Sequence, residues 1–272
     1  ISAKKLKIPI FHMEAGNRCF DQRVPEEVNR KIVDHLSDIN FVVSEHARKY
    51  LINEGIPINR IIKTGSNMLE VINTFKKKIA NSKIIKQLKI RNNFFLLSLH
   101  REENVDSKKN LKAIIDALDE ASRKFNVKII FPCHPRTIKR FKEFDIKIGK
   151  NFRIVDPLNF TDYIKMQMEC LCLLSDSGTV TEESSILGLS SIMLRQTHER
   201  PEGNDFGISI LASIEKNDIL DSLKLALDHK AQGFKIKQLP DNTNHEVSKI
   251  VVRNIQSYIH HINFYTWHKN EL

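Results

Sequence analysis

The feature that most constrains this chain is a set of short, mainly apolar stretches that read as strands: "FFLLSL" at 94–99, "VKIIFP" at 127–132, "CLCLLS" at 170–175 and "SSIMLR" at 190–195. "FFLLSL" is a continuous apolar run, as expected of a parallel strand covered on both faces. Helical periodicity fills the intervals. After Ser107, the residues Leu111, Ile114, Ile115, Leu118 and Phe125 recur at helical spacing and are expected to point inward. "TDYIKMQME" reads as a further helix, "FRIVD" as a strand, and a helix is expected from Gly178 to about Gly188. Strand and helix alternating along most of the chain predict an α/β fold with mostly parallel sheets.

The N-terminal part follows the same rhythm. "PEEVNRKIVDHLSDI" predicts a helix with Val28, Ile32, Leu36 and Ile39 on one face, Pro25 in its first turn, and Glu26 and Glu27 favoured by the helix dipole. Glu26–Arg30 and Arg30–Asp34 have i,i+4 salt-bridge spacing. "NFVV" reads as a strand, Ser44 as the N-cap of "EHARKYLINEG", and "RIIKTG" as another strand. A lysine-rich helical region spans 67–91. "HEVSKIVVRNIQSYIHH" closes the fold as a helix with Val247, Ile250, Val251 and Ile255 inward.

Composition narrows the function. With 272 residues the chain can bury a large core, and 41% hydrophobic with 28% charged residues is ordinary for a globular protein. No apolar run nears the ~18 residues that span a bilayer, so no membrane role is expected. The chain opens Ile-Ser-Ala-Lys, without Met or a signal pattern, and residues 1–8 are expected not to be the natural start. Cys19, Cys133, Cys170 and Cys172 form no CxxC pair and read as buried free thiols, with Cys170 and Cys172 on one side of a strand. A formal charge of +10 suggests an anionic partner. The 7% aromatic content is not interleaved with basic residues as in single-strand binders, which argues against nucleic acid.

In parallel sheets ligands sit beyond the carboxyl ends of strands. Four strand exits carry unusual polar words: "LSLHREEN", "FPCHPRT", "LSDSGTVTEE" and "MLRQTHERPEG". They are expected to converge on one cleft. Ser177 and Gly178 would bring unpaired helix-start N–H groups close to a phosphate. Glu182 and Glu183, one turn on, are either ribose acceptors or two solvent-facing glutamates. His100 and His134 either contact ligand or cap their loops. Arg195, His198, Glu199 and Arg200 would be costly to crowd together without a charged ligand. Further upstream, Glu14 follows an apolar strand, where a carboxylate can serve as general acid or base.

Six of these words, "HMEAGNRCFDQRVPEEVNRKIVDHLSDIN", "TGSNMLEVI", "LHREENV", "PCHPRT", "SDSGTVTEESSILG" and "RQTHERPEG", resemble in order and spacing the bacterial non-hydrolysing UDP-N-acetylglucosamine 2-epimerases. Their wording is closest to the capsule-pathway branch. The resemblance implies two Rossmann-like domains in the glycosyltransferase-B arrangement: residues 1–66 as part of the first, 67–244 as the nucleotide-binding second, and 245–272 as a helix returning to the first. It implies a cytoplasmic homodimer that needs no cofactor or metal and acts on a UDP-sugar. UDP is eliminated from C1 as the C2 proton leaves, and then adds back with C2 inverted. Carried over by position, Glu14, Glu26 and His100 are the implied catalytic residues. Arg101, His134, Ser177, Gly178, Glu183 and Arg200 are the implied UDP contacts. The family carries a further N-terminal segment, with a Gly-Thr-Arg-Pro-like loop and an acidic base, that this sequence does not match. The first domain is therefore expected to be incomplete, and this chain alone to bind UDP weakly and to turn over poorly or not at all. A truncated, nonenzymatic UDP-sugar binder and a glycosyltransferase of the same fold stand as alternatives.

Overall fold

A computed structural model of the chain describes residues 1–22, 24–90 and 93–269. They form two compact units: Ile1–Asn73 with Thr197–Glu202 and Leu239–Leu272, and Thr74–Gln196 with Gly203–Gln238. These divisions differ from the expected boundaries at 66/67 and 244/245, and one short segment of the chain's second half joins the first unit.

The first unit begins with α1 (Ser2–Lys5), β1 (Phe11–Ala15), α2 (Pro25–Leu36), β2 (Ile39–Val42), α3 (Glu45–Asn53) and β3 (Ile61–Lys63), and the unit division falls inside α4 (Met68–Ala80). The three strands pair in parallel in the order β1-β2-β3. Ser44 caps α3 as expected, its hydroxyl accepting from Ala47 N at 3.3 Å. Ala47, Leu51 and Ile56 pack with Ala15, Val42 and Ile61 in one apolar cluster. Ile39 and Phe41 pack instead with Val247, Val251 and Ile262 of the C-terminal segment.

The second unit adds α5 (Ile84–Gln87), β4 (Phe94–Ser98), α6 (Glu102–Val105), α7 (Lys108–Phe125), β5 (Lys128–Pro132), α8 (Pro135–Glu143), β6 (Phe152–Val155), α9 (Phe160–Glu169), β7 (Cys172–Ser175), α10 (Val180–Leu187) and β8 (Ser191–Leu194). After α11 (Pro201–Asp205), which straddles the division, come β9 (Ile210–Ala212) and α12 (Lys216–Ala231). The chain then returns to the first unit with α13 (Val247–His261) and a π-helical turn, Ile262–Thr266. Six parallel strands lie in the order β6-β5-β4-β7-β8-β9. The apolar runs behave as their composition requires. Phe95, Leu97 and Leu174 pack with Leu111, Ile114, Ile115 and Leu223 on one face, while Phe94, Leu96 and Leu173 pack with Ile84, Met166 and Val180 on the other. Each such side chain contributes about 1.5–3 kcal/mol by leaving water.

Three local expectations are corrected. Val28 and Ile32 are exposed, and Ile39 lies in β2 rather than on a helix face. The buried positions of α2 are instead polar, Glu27 and Asp34, because both carboxylates hold the loop that follows β1. Cys170 ends α9 outside the strand, so it packs in one apolar cluster and Cys172 in the other, on the opposite face. The helix expected from Gly178 begins at Val180, with Gly178 and Thr179 in a turn. Among the described residues no helix is long and apolar enough to cross a membrane.

Candidate functional site

In the second unit the strand order reverses between β4 and β7, and such a switch point leaves a crevice at the strands' carboxyl ends. Asp176, fully buried at the exit of β7, organises it. Its carboxylate accepts from His100 N at 3.1 Å, Arg101 N at 3.1 Å and Asn104 Nδ2 at 3.2 Å, and pairs with His100 Nδ1 at 3.1 Å. Asn104 Nδ2 also donates to Leu194 O of β8. One carboxylate and one amide thus tie three strand exits together and hold the His100 ring, whose side chain is about half exposed (54%).

The β7 exit continues into Ser177 and Gly178. Ser177 N donates to Ser175 Oγ at 3.0 Å, and the Ser177 and Thr179 hydroxyls lie 3.0 Å apart. Thr179 Oγ1 donates to Glu183 Oε1 at 2.9 Å, and Gln167 Nε2 donates to Glu183 Oε2 at 2.5 Å. Both Glu182 and Glu183 are buried, which removes the solvent-facing alternative. Burial pushes the Glu183 carboxyl up to about 7, against the lowering effect of its two hydrogen bonds. Tyr163, whose hydroxyl meets Ser98 and Gln167, is likewise pushed up by burial. His134 stands at the exit of β5 as the cap of α8, its Nδ1 accepting from Arg136 N at 3.2 Å, so its loop-capping role is realised.

The first unit carries the acidic residues. Glu14 occupies a bulge in β1, where the register to β2 slips between Met13 and Ala15, and its φ is +58°. A non-glycine residue in the left-handed region is strained, and bulges re-aim the side chains they carry. The Glu14 side chain is 58% exposed and meets Arg200 Nη2 at 3.3 Å, an ion pair between residues 186 positions apart. Arg200 arrives on the Thr197–Glu202 segment, which also sets Glu199 against Arg30 at 3.6 Å and Glu202 against Ser44 at 3.4 Å. The polar word "RQTHERPEG" therefore does not join the other three strand exits as a block: Arg195 stays with β8 in the second unit, and His198–Glu202 fold with the first.

Glu26 lies exposed in the first turn of α2. Its neighbour Glu27 is buried and accepts from Cys19 N at 3.0 Å and Phe20 N at 3.2 Å. Burial raises the Glu27 carboxyl, but these donors and Arg30 outweigh it and hold it below the ordinary carboxylate value. The expected i,i+4 pairing gives way to other partners. Arg30 pairs with Glu27 and Glu199, and Asp34 is taken by Arg18 and His12.

The candidate residues thus fall into two groups: Glu14, Glu26 and Arg200 in the first unit, and His100, Arg101, Ser177, Gly178 and Glu183 with the capping His134 in the second. Asp176 and Gln167 went unmarked by sequence reasoning, and Asp34 was read only as an i,i+4 partner of Arg30. Asp176 had a signal, since a carboxylate directly after a buried strand needs donors; Gln167, inside a helix, had none.

A sequence model described as UDP-N-acetylglucosamine 2-epimerase matches residues 1–251. The UDP-N-acetylglucosamine 2-epimerase of Methanocaldococcus jannaschii is 36% identical over 236 residues, covering 84% of this chain and 64% of that protein. This chain therefore spans just under two thirds of that relative's length. A UDP-N-acetylglucosamine 2-epimerase structure from Rickettsia bellii superposes with a TM-score of 0.89 at 43% identity, covering 98% of this chain and 72% of the other. The M. jannaschii enzyme in complex with UDP-GlcNAc and UDP gives 0.86 at 33% identity, covering 94% and 71%. The mixed α/β architecture with parallel sheets matches the glycosyltransferase-B-like fold of these structures.

Proposed function

This chain belongs to the UDP-N-acetylglucosamine 2-epimerase family, and from that premise we propose that it serves the inversion of C2 in a UDP-N-acetylhexosamine. The observation that carries the proposal is the Glu14–Arg200 pair. A carboxylate is projected from a strained bulge and oriented by a buried guanidinium, as proton transfer to and from carbon requires. A relative binds UDP-GlcNAc and UDP, which supports that substrate class here.

The chemistry follows from the charges that move. Breaking the C1–O bond sends an electron pair to the UDP leaving group. Breaking C2–H supplies the pair that forms the C1=C2 double bond of a 2-acetamidoglucal. Return of UDP to C1 with a proton delivered to the other face of C2 inverts that carbon. Glu14 and Glu26 are assigned to the proton transfers. The diphosphate, where charge develops, is assigned to the second unit's switch point, with the Gly178 backbone N–H, the Ser177 hydroxyl and the His100 and Arg101 side chains as donors. Glu183 is assigned to the ribose diol, whose two hydroxyls need an acceptor. His134 is assigned a peripheral UDP contact in addition to its cap.

A homodimer, a cytoplasmic location and a place in capsule polysaccharide synthesis belong to the same proposal. The test is direct. The protein is incubated with UDP-GlcNAc and the anomeric proton signals are followed by NMR. Slow appearance of UDP-ManNAc, in keeping with the poor turnover expected of this chain alone and lowered a further roughly 10²-fold by Glu14→Gln, is expected. Tight UDP binding without any new epimer would favour a nonenzymatic binder instead.

A further inference from the structure

We propose that Asp34 is the positioning residue for Glu14, fastening the chain on both sides of that glutamate so that the bulge persists. The inference rests on Glu14 being the group that meets the sugar. Asp34 lies on α2 with its side chain fully buried. Its Oδ1 faces His12 Nδ1 at 2.8 Å, while its Oδ2 accepts from Gly16 N at 3.2 Å and from Arg18 Nη1 at 2.7 Å. Residues 12, 16 and 18 bracket position 14, so one carboxylate grips the strand before the bulge and the loop after it.

The grip answers a specific need. A non-glycine residue at φ +58° persists only where its surroundings over-determine it. On the far side of the bulge Gly16 has φ +77°, and a Cβ there would stand 2.5 Å from Ala47 O, so the backbone is already pressed against α3. Arg18 extends the clamp, donating to both oxygens of Glu54 at 2.8 and 2.6 Å just past the end of α3. Asp34 is the carboxylate at which these restraints meet β1 through His12. An asparagine of the same size keeps one acceptor oxygen and turns the other position into a donor, so a His12 Nδ1–H on one side and Gly16 N and Arg18 on the other can no longer all be accepted.

The experiment measures Asp34→Asn in the whole protein. Expected are a kcat lower by about 10²-fold, the cost of misplacing a reacting group by about an ångström, an unchanged KM for UDP-GlcNAc, and a crystal structure in which residue 14 has left the left-handed region and lost Arg200. An unchanged kcat, a KM that rises in step with a falling kcat, or a bulge that persists in the variant overturns the proposal. If Asp34→Asn does not fold, His12→Phe removes a single contact and leaves the Arg18 pair intact. A lower kcat at constant KM is then expected, and an unchanged kcat overturns the proposal. Full activity in Glu14→Gln would refute the assignment of Glu14 itself. The conformation of residue 14 in the Asp34 variant still decides the positioning role.

Discussion

Glu183 is the residue whose environment makes the sharpest demand. Its carboxyl titrates near 7 in the folded chain because burial disfavours the charge. The folded state therefore keeps a proton that the unfolded chain gives up at its ordinary, lower value. Stability should fall as pH rises from about 4.5 to about 7 and stay level above, by roughly 3 kcal/mol for a shift of that size. Urea unfolding across that range checks it, and Glu183→Gln should flatten the profile. If Glu183 accepts from both ribose hydroxyls, it binds uridine nucleotides as the carboxylate. Calorimetry in buffers of different ionisation enthalpy at pH 6.5 should then show proton release on uridine binding, absent in Glu183→Gln. No buffer dependence in the wild-type protein would rule out Glu183 as a carboxylate accepting from both ribose hydroxyls. The position of this residue could be read from the "TEE" word, but its burial could not, because Gln167 lies 16 positions earlier on α9 and nothing in its spacing marks it.

Helix α2 shows how an element can be legible in extent and misleading in orientation. Its start at Pro25 and its length follow from local signals, while its apolar stripe points to the wrong face. Periodicity assumes that the buried side is apolar. Here the buried side holds Glu27 and Asp34, whose hydrogen-bond partners lie in the loop after β1 and outside the helical repeat. Val28→Ser or Ile32→Ser should consequently change stability by no more than about 0.5 kcal/mol. Leu51→Ala, at a fully buried position of α3, should cost about 2–5 kcal/mol. Ser44→Ala should cost about 1 kcal/mol through its lost cap. Denaturant midpoints at constant m-value measure all four, and a large loss in the Val28 or Ile32 variants would show that this face is covered. The inner strands of the second sheet, β4, β5, β7 and β8, were read correctly for a simpler reason: they are buried on both faces, so their composition alone reports their environment.

At the scale of the molecule, alternation of strand and helix announced parallel α/β architecture, and both sheets are parallel throughout. The return of Thr197–Glu202 to the first unit was not legible. It depends on pairings such as Arg200–Glu14 and Glu199–Arg30, which join distant stretches and leave no periodic trace. That return is what supplies a cation to the acidic loop, and the proposed chemistry stands or falls with the carboxylate it orients. The most direct test is incubation with UDP-GlcNAc in deuterated water, followed by NMR or mass analysis of C2. Deuterium should enter C2 with the wild-type protein and should not with Glu14→Gln. A nucleotide sugar that is bound yet keeps its C2 proton, or a Glu14→Gln variant that exchanges it as fast as wild type, would contradict the account.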